Sequence, residues 1–192
     1  MEEAGVAGTN SVLPTLRLFK ALDEGAASCA ILARVPIPEA RYDKLAPIGK
    51  DIQLGAIPKK SVLLEKYEDL VGLKIAVPRG VFVGDPFDHD IRLKKILTDS
   101  YDLSSVLFKF DRVDAVVGAY DSLLFNMQRA EIEPERIGLP LIFSSAPMWV
   151  MCQPGKVSSD QRARLITATE RLRSNGTIAR IIKKYLQADP AL

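Results

Sequence analysis

Residues 71–85 read VGLKIAVPRGVFVGD, and the pattern of this stretch predicts a strand, a loop and the start of a helix. The apolar, β-branched run at 73–77 is broken by Pro78 and two glycines, which predicts a strand followed by a loop. Asp85 then stands as an N-cap before a proline, which predicts a helix over Pro86–Thr98. The N–H groups and positive end of such a helix favour a bound anion, so we expect this loop to form one side of a ligand site.

The composition is that of an ordinary globular protein. The 192 residues suffice for one domain or two small lobes. The contents of 47% hydrophobic and 26% charged residues are typical, and a net charge of +2 argues against a nucleic-acid partner. No stretch approaches the ~18 apolar residues of a membrane-spanning helix. The start, MEEAGVAGTNS, does not resemble a secretory signal, which taken literally predicts a cytoplasmic chain.

Strands that alternate with helices predict an α/β fold with parallel strands. The predicted strands are Cys29–Leu32, Ile52–Ile57, Leu73–Val77, Leu103–Lys109 and Val113–Gly118, with further apolar segments at Ile137–Phe143 and Met148–Cys152. The predicted helices are Ser11–Glu24, Pro86–Thr98, Asp121–Ala130 and a pair in the tail that begins after a capping box at Ser158 and Gln161.

Two further local predictions concern prolines and cysteines. The segment ARVPIPEARYDKLAPIG contains three prolines and is predicted to be a surface loop without regular structure. Cys29 and Cys152 are far apart in the sequence, and each has apolar neighbours. Two buried, unpaired cysteines are therefore expected rather than a disulfide or a metal pair.

Five motifs follow one another in an order that resembles a known family. They are LRLFKALDEGAASCAI, IPEARYDKLAPIG, EDLVGLKIAVPRG, FDRVDAVVGAYDSLLF and TERLRSNGTIARIIKKYL. Together they resemble the bacterial extracellular solute-binding protein family 3, the polar amino-acid-binding components of ABC transporters. The resemblance implies an α/β, two-lobed periplasmic binding protein type II fold that closes on its ligand like a Venus flytrap.

The resemblance also implies a division of the chain. Lobe one would be 1–53 and 146–192, lobe two 58–141, and the hinge crossings 54–57 and 142–145. MEEAGV resembles the end of the family's first helix, so the first lobe is expected to be incomplete, without the N-terminal strand and most of that helix. A truncated sequence and a partner chain that completes the lobe are both open, the latter including a homo-oligomer.

In lobe one, Arg41 matches the arginine that holds the ligand carboxylate in the family. A guanidinium suits that role because it is planar, permanently charged and bidentate. The alternative is a solvated arginine paired with Glu39 or Asp43. Arg34 is a weaker candidate in the same loop.

In lobe two, the resemblance implies ligand contacts from the loop after the first strand and from the start of a later helix. In the loop, Arg79, Gly80, Val81 and Phe82 stand where the family has hydroxyl residues, so backbone N–H groups are the expected donors. Phe82 is equally consistent with a core position. Tyr120 and Asp121 flank the position of the family's amine-binding acid, which is alanine here, and Asp121 is more simply read as a helix N-cap.

The implied function is a non-enzymatic, periplasmic solute-binding protein for an amino acid or organic acid. It would have no cofactor or metal, and an ABC permease or a sensor protein would be its partner. One alternative is a dehydratase-like enzyme that uses Glu39 and Asp121. Another is a degenerate copy that binds no ligand. The single histidine, His89, is expected to be a solvated residue of the predicted helix rather than a base or a metal ligand.

Overall fold

The computed structural model describes residues 2–35 and 41–186, with side-chain surroundings as far as residue 184. The chain divides into two compact units. The described part of unit 1 consists of 2–35, 41–51 and 146–186, and that of unit 2 consists of 52–145. No helix in these described ranges is long and apolar enough to cross a membrane.

The regular elements are a mixture of strands and helices, as the predicted α/β class requires. The strands are β1 (Cys29–Ala33), β2 (Asp43–Pro58), β3 (Lys74–Pro78), β4 (Lys94–Thr98), β5 (Ala115–Ala119) and β6 (Leu141–Cys152). The α-helices are α1 (Thr15–Asp23), α2 (Tyr101–Lys109), α3 (Tyr120–Arg129), α4 (Ser159–Ser174) and α5 (Thr177–Leu186). Short 3₁₀ helices lie at Glu2–Ala4, Tyr67–Leu70, Phe87–His89 and Pro134–Arg136.

The sheet of unit 2 has the strand order β6-β2-β5-β3-β4. β3 is parallel to both β4 and β5, and β2 is antiparallel to β5. Gly55 of β2 lies so close to the backbone of Leu141 that no Cβ would fit there, so a glycine is needed for the strands to approach.

Helices α2 and α3 cover one face of this sheet. Their apolar sides form a core with the strands in which Ile57, Phe108, Val116 and Leu123 are almost fully buried. Burial of each such side chain stabilises the fold by about 1.5–3 kcal/mol. Ser100 caps α2, since its hydroxyl accepts a hydrogen bond from Leu103 N–H at 3.1 Å.

In unit 1, β1 and β6 form an antiparallel pair in which Cys29 is directly opposite Cys152. The two residues form a disulfide, and the described residues contain no free cysteine. The expectation of two unpaired cysteines is therefore wrong, because the strand register brings together residues 123 positions apart.

The tail helices are confirmed. The Ser158 hydroxyl accepts a hydrogen bond from Gln161 N–H, and the Gln161 side chain accepts one from Ser158 N–H, which completes the predicted capping box. Gly176 ends α4 with a φ of 75°. The first predicted helix also exists, although it spans Thr15–Asp23 rather than Ser11–Glu24.

Two elements of unit 2 differ in type from the prediction. The predicted helix Pro86–Thr98 is a three-residue 3₁₀ helix followed by β4, since Asp88–Asp90 are poor helix formers and Lys94–Thr98 pairs with β3. The predicted strand Leu103–Lys109 is helix α2. Leu103, Val106 and Leu107 are spaced three and four residues apart, which is the helical period.

Two proline-containing segments are more regular than predicted. Of the predicted loop 33–49, residues 36–40 lie outside the described part of the chain. Its later part enters β2 at Asp43, and Pro47 lies within this strand. The sequence predicts two separate apolar segments, Ile137–Phe143 and Met148–Cys152, whereas Leu141–Cys152 is one continuous strand. Pro147 lies inside it, and its carbonyl accepts a hydrogen bond from Arg34 N–H.

Candidate functional site

The candidate site in unit 2 lies at the carboxyl edge of its parallel strands. Pro78 is paired with Thr98, and Ala76 is paired with Val116. The residues that follow β3, β4 and β5 therefore emerge at the same edge, which is where ligands bind in open α/β sheets. The register therefore places the Arg79–Phe82 loop and the pair Tyr120 and Asp121 at the same edge of the sheet. These are the two parts of the ligand site that the resemblance implies for this half of the chain.

Arg79 is the charged side chain of the loop. Its guanidinium forms an ion pair with Asp99, the residue just after β4, and its side chain is 47% exposed. The backbone is fixed as well, because Arg79 N–H donates to Thr98 O at 2.8 Å and Val81 N–H donates to Pro78 O at 3.2 Å. A guanidinium has five N–H donors, so the pair with Asp99 leaves donors for a second carboxylate.

Gly80 allows this turn to close because its φ is +79°. Among the described residues, no backbone carbonyl accepts a hydrogen bond from its N–H group. Phe82 is half-buried and makes an interaction within the chain. The backbone donor expected from this loop is thus Gly80 N–H.

The next two residues of the loop donate their N–H groups to a carboxylate of the chain itself. The Asp88 carboxylate accepts hydrogen bonds from Val83 N–H at 3.2 Å and Gly84 N–H at 2.9 Å. On the other side, the Ser144 hydroxyl donates to Val83 O at 3.1 Å. The expectation that a helix beginning after Asp85 would hold an anion is wrong here, since no α-helix begins there and Asp88 occupies these two donors.

At the end of β5, Tyr101 of α2 crosses over Gly118. A Cβ on Gly118 would lie 2.7 Å from the tyrosine ring, and the Tyr101 hydroxyl accepts a hydrogen bond from Ala119 N–H at 3.0 Å. Burial raises the pKa of Tyr101 to about 12. The tyrosine therefore fixes the position from which α3 starts.

Asp121 is not the N-cap of that helix. Ala119 occupies the N-cap position, and Tyr120 and Asp121 are the first two helical residues. A carboxylate in the first turn interacts favourably with the helix dipole, which gives Asp121 a structural role of its own. Both residues make interactions within the chain.

In unit 1, Arg41 forms an ion pair with Asp23, the last residue of α1. This partner is neither of the two acids considered from the sequence: Asp43 is paired with Arg162 at 2.6 Å, and Glu39 lies outside the described residues. The Arg41 guanidinium also lies 5.6 Å from the ring centroid of Tyr42, and its side chain is 46% exposed.

Tyr42 completes this cluster. Its hydroxyl donates to Asp23 at 2.8 Å, and burial together with this hydrogen bond raises the pKa of Tyr42 to about 12. Arg34 lies apart from the cluster along the chain, with its guanidinium 5.7 Å from the ring centroid of Trp149.

Unit 2 also contains a polar cluster that no sequence motif indicates. The Asp90 carboxylate is held by Arg92, which binds both of its oxygens, and by the Tyr67 hydroxyl at 3.0 Å. The hydrogen bonds from Arg92 keep the pKa of Asp90 well below its usual range, while burial raises the pKa of Tyr67 to about 12. Asp-x-Arg spacing is too common for such a pair to be identified from sequence.

His89 is exposed, and its Nδ1 lies 2.6 Å from the Asp85 carboxylate. It belongs to the 3₁₀ helix Phe87–His89 rather than to the predicted α-helix. Within the described ranges, no group of three or more histidine, cysteine or acidic residues is arranged to hold a metal ion.

Several solved structures share this fold. A mutant of ArgBP from T. maritima aligns with a TM-score of 0.79 and 16% identity, covering 97% of this chain and 82% of that one. The ligand-binding core of GluR0 from Nostoc punctiforme, in complex with L-glutamate, aligns with a TM-score of 0.78 and 15% identity, covering 96% and 85%. A histidine kinase sensor domain with similarity to periplasmic binding proteins aligns at 0.72 and 17%, covering 90% and 75%.

These likenesses confirm the resemblance at the level of the fold, which is that of the type II periplasmic binding proteins. No family model and no curated protein matches the sequence. At such low identities the alignments carry no information on the ligand, so the roles of Arg34, Arg41 and the loop residues stay predictions.

Proposed function

We propose that the chain is a non-enzymatic solute receptor that captures a small polar, carboxylate-bearing ligand, an amino acid or an organic acid, for an ABC transporter. The observation that carries the proposal is the carboxyl edge of unit 2, where a half-exposed arginine and the N–H group of Gly80 lie at the ends of parallel strands. Solved relatives in fold include an amino acid ABC transporter's substrate-binding protein, which supports a receptor role.

The chemistry at this edge favours an anion. Arg79 offers planar donors that match a carboxylate, and Asp99 holds its guanidinium in place rather than neutralising a buried charge, since both side chains reach solvent. Arg41 is the corresponding candidate in unit 1, where Asp23 has the same positioning role.

The disulfide supports an extracytoplasmic location. Disulfides persist in secreted and periplasmic proteins and are rare in the cytosol, where thiols are kept reduced. The Cys29–Cys152 pair therefore favours the periplasm over the cytoplasm that the literal reading of the N-terminal sequence suggested.

A thermal-shift screen of amino acids and organic acids tests the proposal. A ligand present at about 100 times its Kd stabilises the folded state by about 2.7 kcal/mol, which corresponds to a Tm increase of about 5–10 °C for a chain of this size. Arg79→Ala and Arg41→Ala should each remove most of the shift. Arg164→Ala, which removes an exposed ion pair with Asp160 in α4, should leave it unchanged. A screen in which nothing stabilises the chain would refute the receptor role.

One observation favours a second candidate, a degenerate copy that binds no ligand. Asp88 already occupies the N–H groups of Val83 and Gly84. If these donors once served a ligand, Asp88→Ala should restore binding of a carboxylate to a chain that otherwise binds none. If neither the native chain nor Asp88→Ala binds any compound in the same screen, Asp88 does not block a former ligand site.

A further inference from the structure

The hydroxyl of Tyr101 accepts a hydrogen bond but donates none within the chain. Its oxygen accepts a hydrogen bond from Ala119 N–H at 3.0 Å. A phenol also has an O–H proton to donate. Among the residues that the structure describes, no backbone or side-chain group accepts that proton. Buried polar groups in proteins are nearly always paired, so a donor without an acceptor at this position needs an explanation.

Two other tyrosines of the chain show which acceptor such a phenol takes. The Tyr42 hydroxyl donates to the Asp23 carboxylate at 2.8 Å, and the Tyr67 hydroxyl donates to the Asp90 carboxylate at 3.0 Å. In both pairs the acceptor is an ionisable oxygen of the chain itself. Tyr101 differs from them, because no carboxylate of the described residues lies within hydrogen-bond distance of its hydroxyl.

The Tyr101 hydroxyl lies at the carboxyl edge of the unit 2 sheet. Tyr101 is the first residue of α2, two positions after Asp99, and α2 packs against β3, β4 and β5. The bond with Ala119 places the hydroxyl at the carboxyl end of β5. In the strand order β5 is next to β3, the strand that leads into the Arg79–Phe82 loop. The O–H group is therefore at the same edge as both parts of the candidate site.

The packing of the ring explains the position of the oxygen and leaves the proton unexplained. A Cβ at Gly118 would be 2.9 Å from the Tyr101 hydroxyl oxygen, so a glycine is needed for the ring to approach β5. The bond from Ala119 N–H then fixes the oxygen. Neither interaction uses the O–H group. Ala119 and Tyr120 are half-buried, so the chain reaches the surface next to this hydroxyl.

We propose that Tyr101 is a ligand-binding residue of unit 2, and that its O–H group donates a hydrogen bond to a carboxylate oxygen of the ligand. The inference rests on the receptor function proposed above, because it requires a ligand at this edge. It adds a neutral donor to the Arg79 guanidinium and Gly80 N–H. An ionised carboxylate has two acceptor oxygens and no proton, so it can accept from several such donors at once. A hydroxyl that donates to a carboxylate forms a short, strong hydrogen bond.

Calorimetric titration of the full chain tests the role of the hydroxyl. The probes are the standard amino acids, acetate, lactate, succinate and citrate, and the compound that raises the Tm of the native chain most is titrated. Tyr101→Phe keeps the ring and removes the O–H group. It should raise the Kd of that compound by about tenfold to hundredfold, the range expected when a hydrogen bond to a charged group is lost.

Ser100→Ala is the matched control. Like Tyr101→Phe, it removes one hydroxyl at the start of α2 and leaves one backbone N–H without its acceptor, here Leu103 N–H. It should therefore destabilise the chain to a similar extent. Because the Tyr101 hydroxyl is intact in this variant, Ser100→Ala should leave the Kd unchanged.

A second replacement at position 101 separates the lost donor from a displaced helix. Para-aminophenylalanine in place of Tyr101 has N–H donors where the phenol has its O–H. It should recover most of the affinity that Tyr101→Phe loses, since the bond to the carboxylate can form again. A helix start that had merely shifted would not be restored in this way.

The outcomes distinguish this inference from the receptor function on which it rests. A native chain that no probe stabilises refutes both. If the native chain binds a probe and Tyr101→Phe binds it with the same Kd, the receptor function stands and the role of Tyr101 is wrong. The role of Tyr101 is also wrong if Ser100→Ala weakens binding as much as Tyr101→Phe does, or if para-aminophenylalanine recovers no affinity.

Discussion

Gly118→Ala tests the contact that fixes the start of α3. The new Cβ would lie 2.7 Å from Cε1 of Tyr101 and 2.9 Å from its hydroxyl, whereas ordinary contacts begin at 3.4 Å. The ring must therefore move away from β5, although it packs against the unit 2 core and accepts a hydrogen bond from Ala119.

The magnitude follows from three contributions. Overpacking of a filled site costs about 1–3 kcal/mol, and loss of the hydrogen bond costs about 1 kcal/mol. Replacing glycine by alanine recovers about 0.4–1 kcal/mol by restricting the unfolded chain. The free energy of unfolding should fall by about 2 kcal/mol, which lowers Tm by about 4–8 °C.

Urea unfolding of Gly118→Ala, Tyr101→Phe and the double variant measures this coupling. Tyr101→Phe alone should cost about 1 kcal/mol because Ala119 N–H loses its acceptor. In that background Gly118→Ala should cost about 1 kcal/mol less than in the native chain, since the hydrogen bond is already gone. A Gly118→Ala protein as stable as the native chain, or strictly additive costs, would refute the proposed contact.

Three further predictions concern the disulfide, the loop after β3 and the tyrosines. Reduction, or replacement of Cys29 and Cys152 by serine, should lower the free energy of unfolding by about 3–5 kcal/mol because the covalent loop is long; urea unfolding with and without reductant measures this, and unchanged stability would contradict it. Asp88→Ala should cost about 1–3 kcal/mol by leaving two loop N–H groups without an acceptor, against at most about 1 kcal/mol for Asp102→Ala, which breaks an exposed ion pair. Equal costs in urea unfolding would show that Asp88 does not hold the loop. The phenols of Tyr42, Tyr67 and Tyr101 have a pKa of about 12 in the folded chain and 10 in the unfolded chain. Their contribution to the free energy of unfolding is therefore complete below pH 10 and is lost as the pH rises through 12. A spectrophotometric titration in which these three tyrosines ionise near pH 10 before the chain unfolds would contradict this.

The sequence predicted the elements whose pattern is local. The strand Leu73–Val77 and the helix Asp121–Ala130 lie within one residue of β3 and α3, because turn residues and apolar periodicity mark their ends. The capping box of α4 was identified in the same way. These are interactions between residues a few positions apart, which the sequence displays directly.

The predictions fail where pairing between residues far apart in the sequence decides the structure. Lys94–Thr98 becomes a strand because β3 offers it a partner, and Cys29 meets Cys152 because β1 and β6 align. The ion pair of Arg79 with Asp99 likewise depends on the parallel register of β3 and β4. The position of the loop after β3 could be predicted from its own residues, whereas its ion-pair partner could not be predicted without the sheet order.

The hydrogen bonds from Val83 and Gly84 to Asp88 show what holds the β3–β4 connection in the absence of an α-helix. The β3–β4 crossover is parallel, a connection that usually contains an α-helix, but here it has a three-residue 3₁₀ helix. Its shape is maintained instead by Asp88, Ser144 and Lys95, which bond to its backbone. A pattern of scattered side-chain bonds of this kind leaves no periodic signal in the sequence.

The position of the disulfide has a consequence for damaged molecules. Cys29 and Cys152 enclose every described residue of unit 2 within one covalent ring. A protease that cuts the chain anywhere in 52–145 therefore opens the ring without releasing a fragment. The nicked molecule keeps its full mass on a non-reducing gel and separates into two pieces only after reduction, so the bond preserves the integrity of the chain where its peptide backbone has failed.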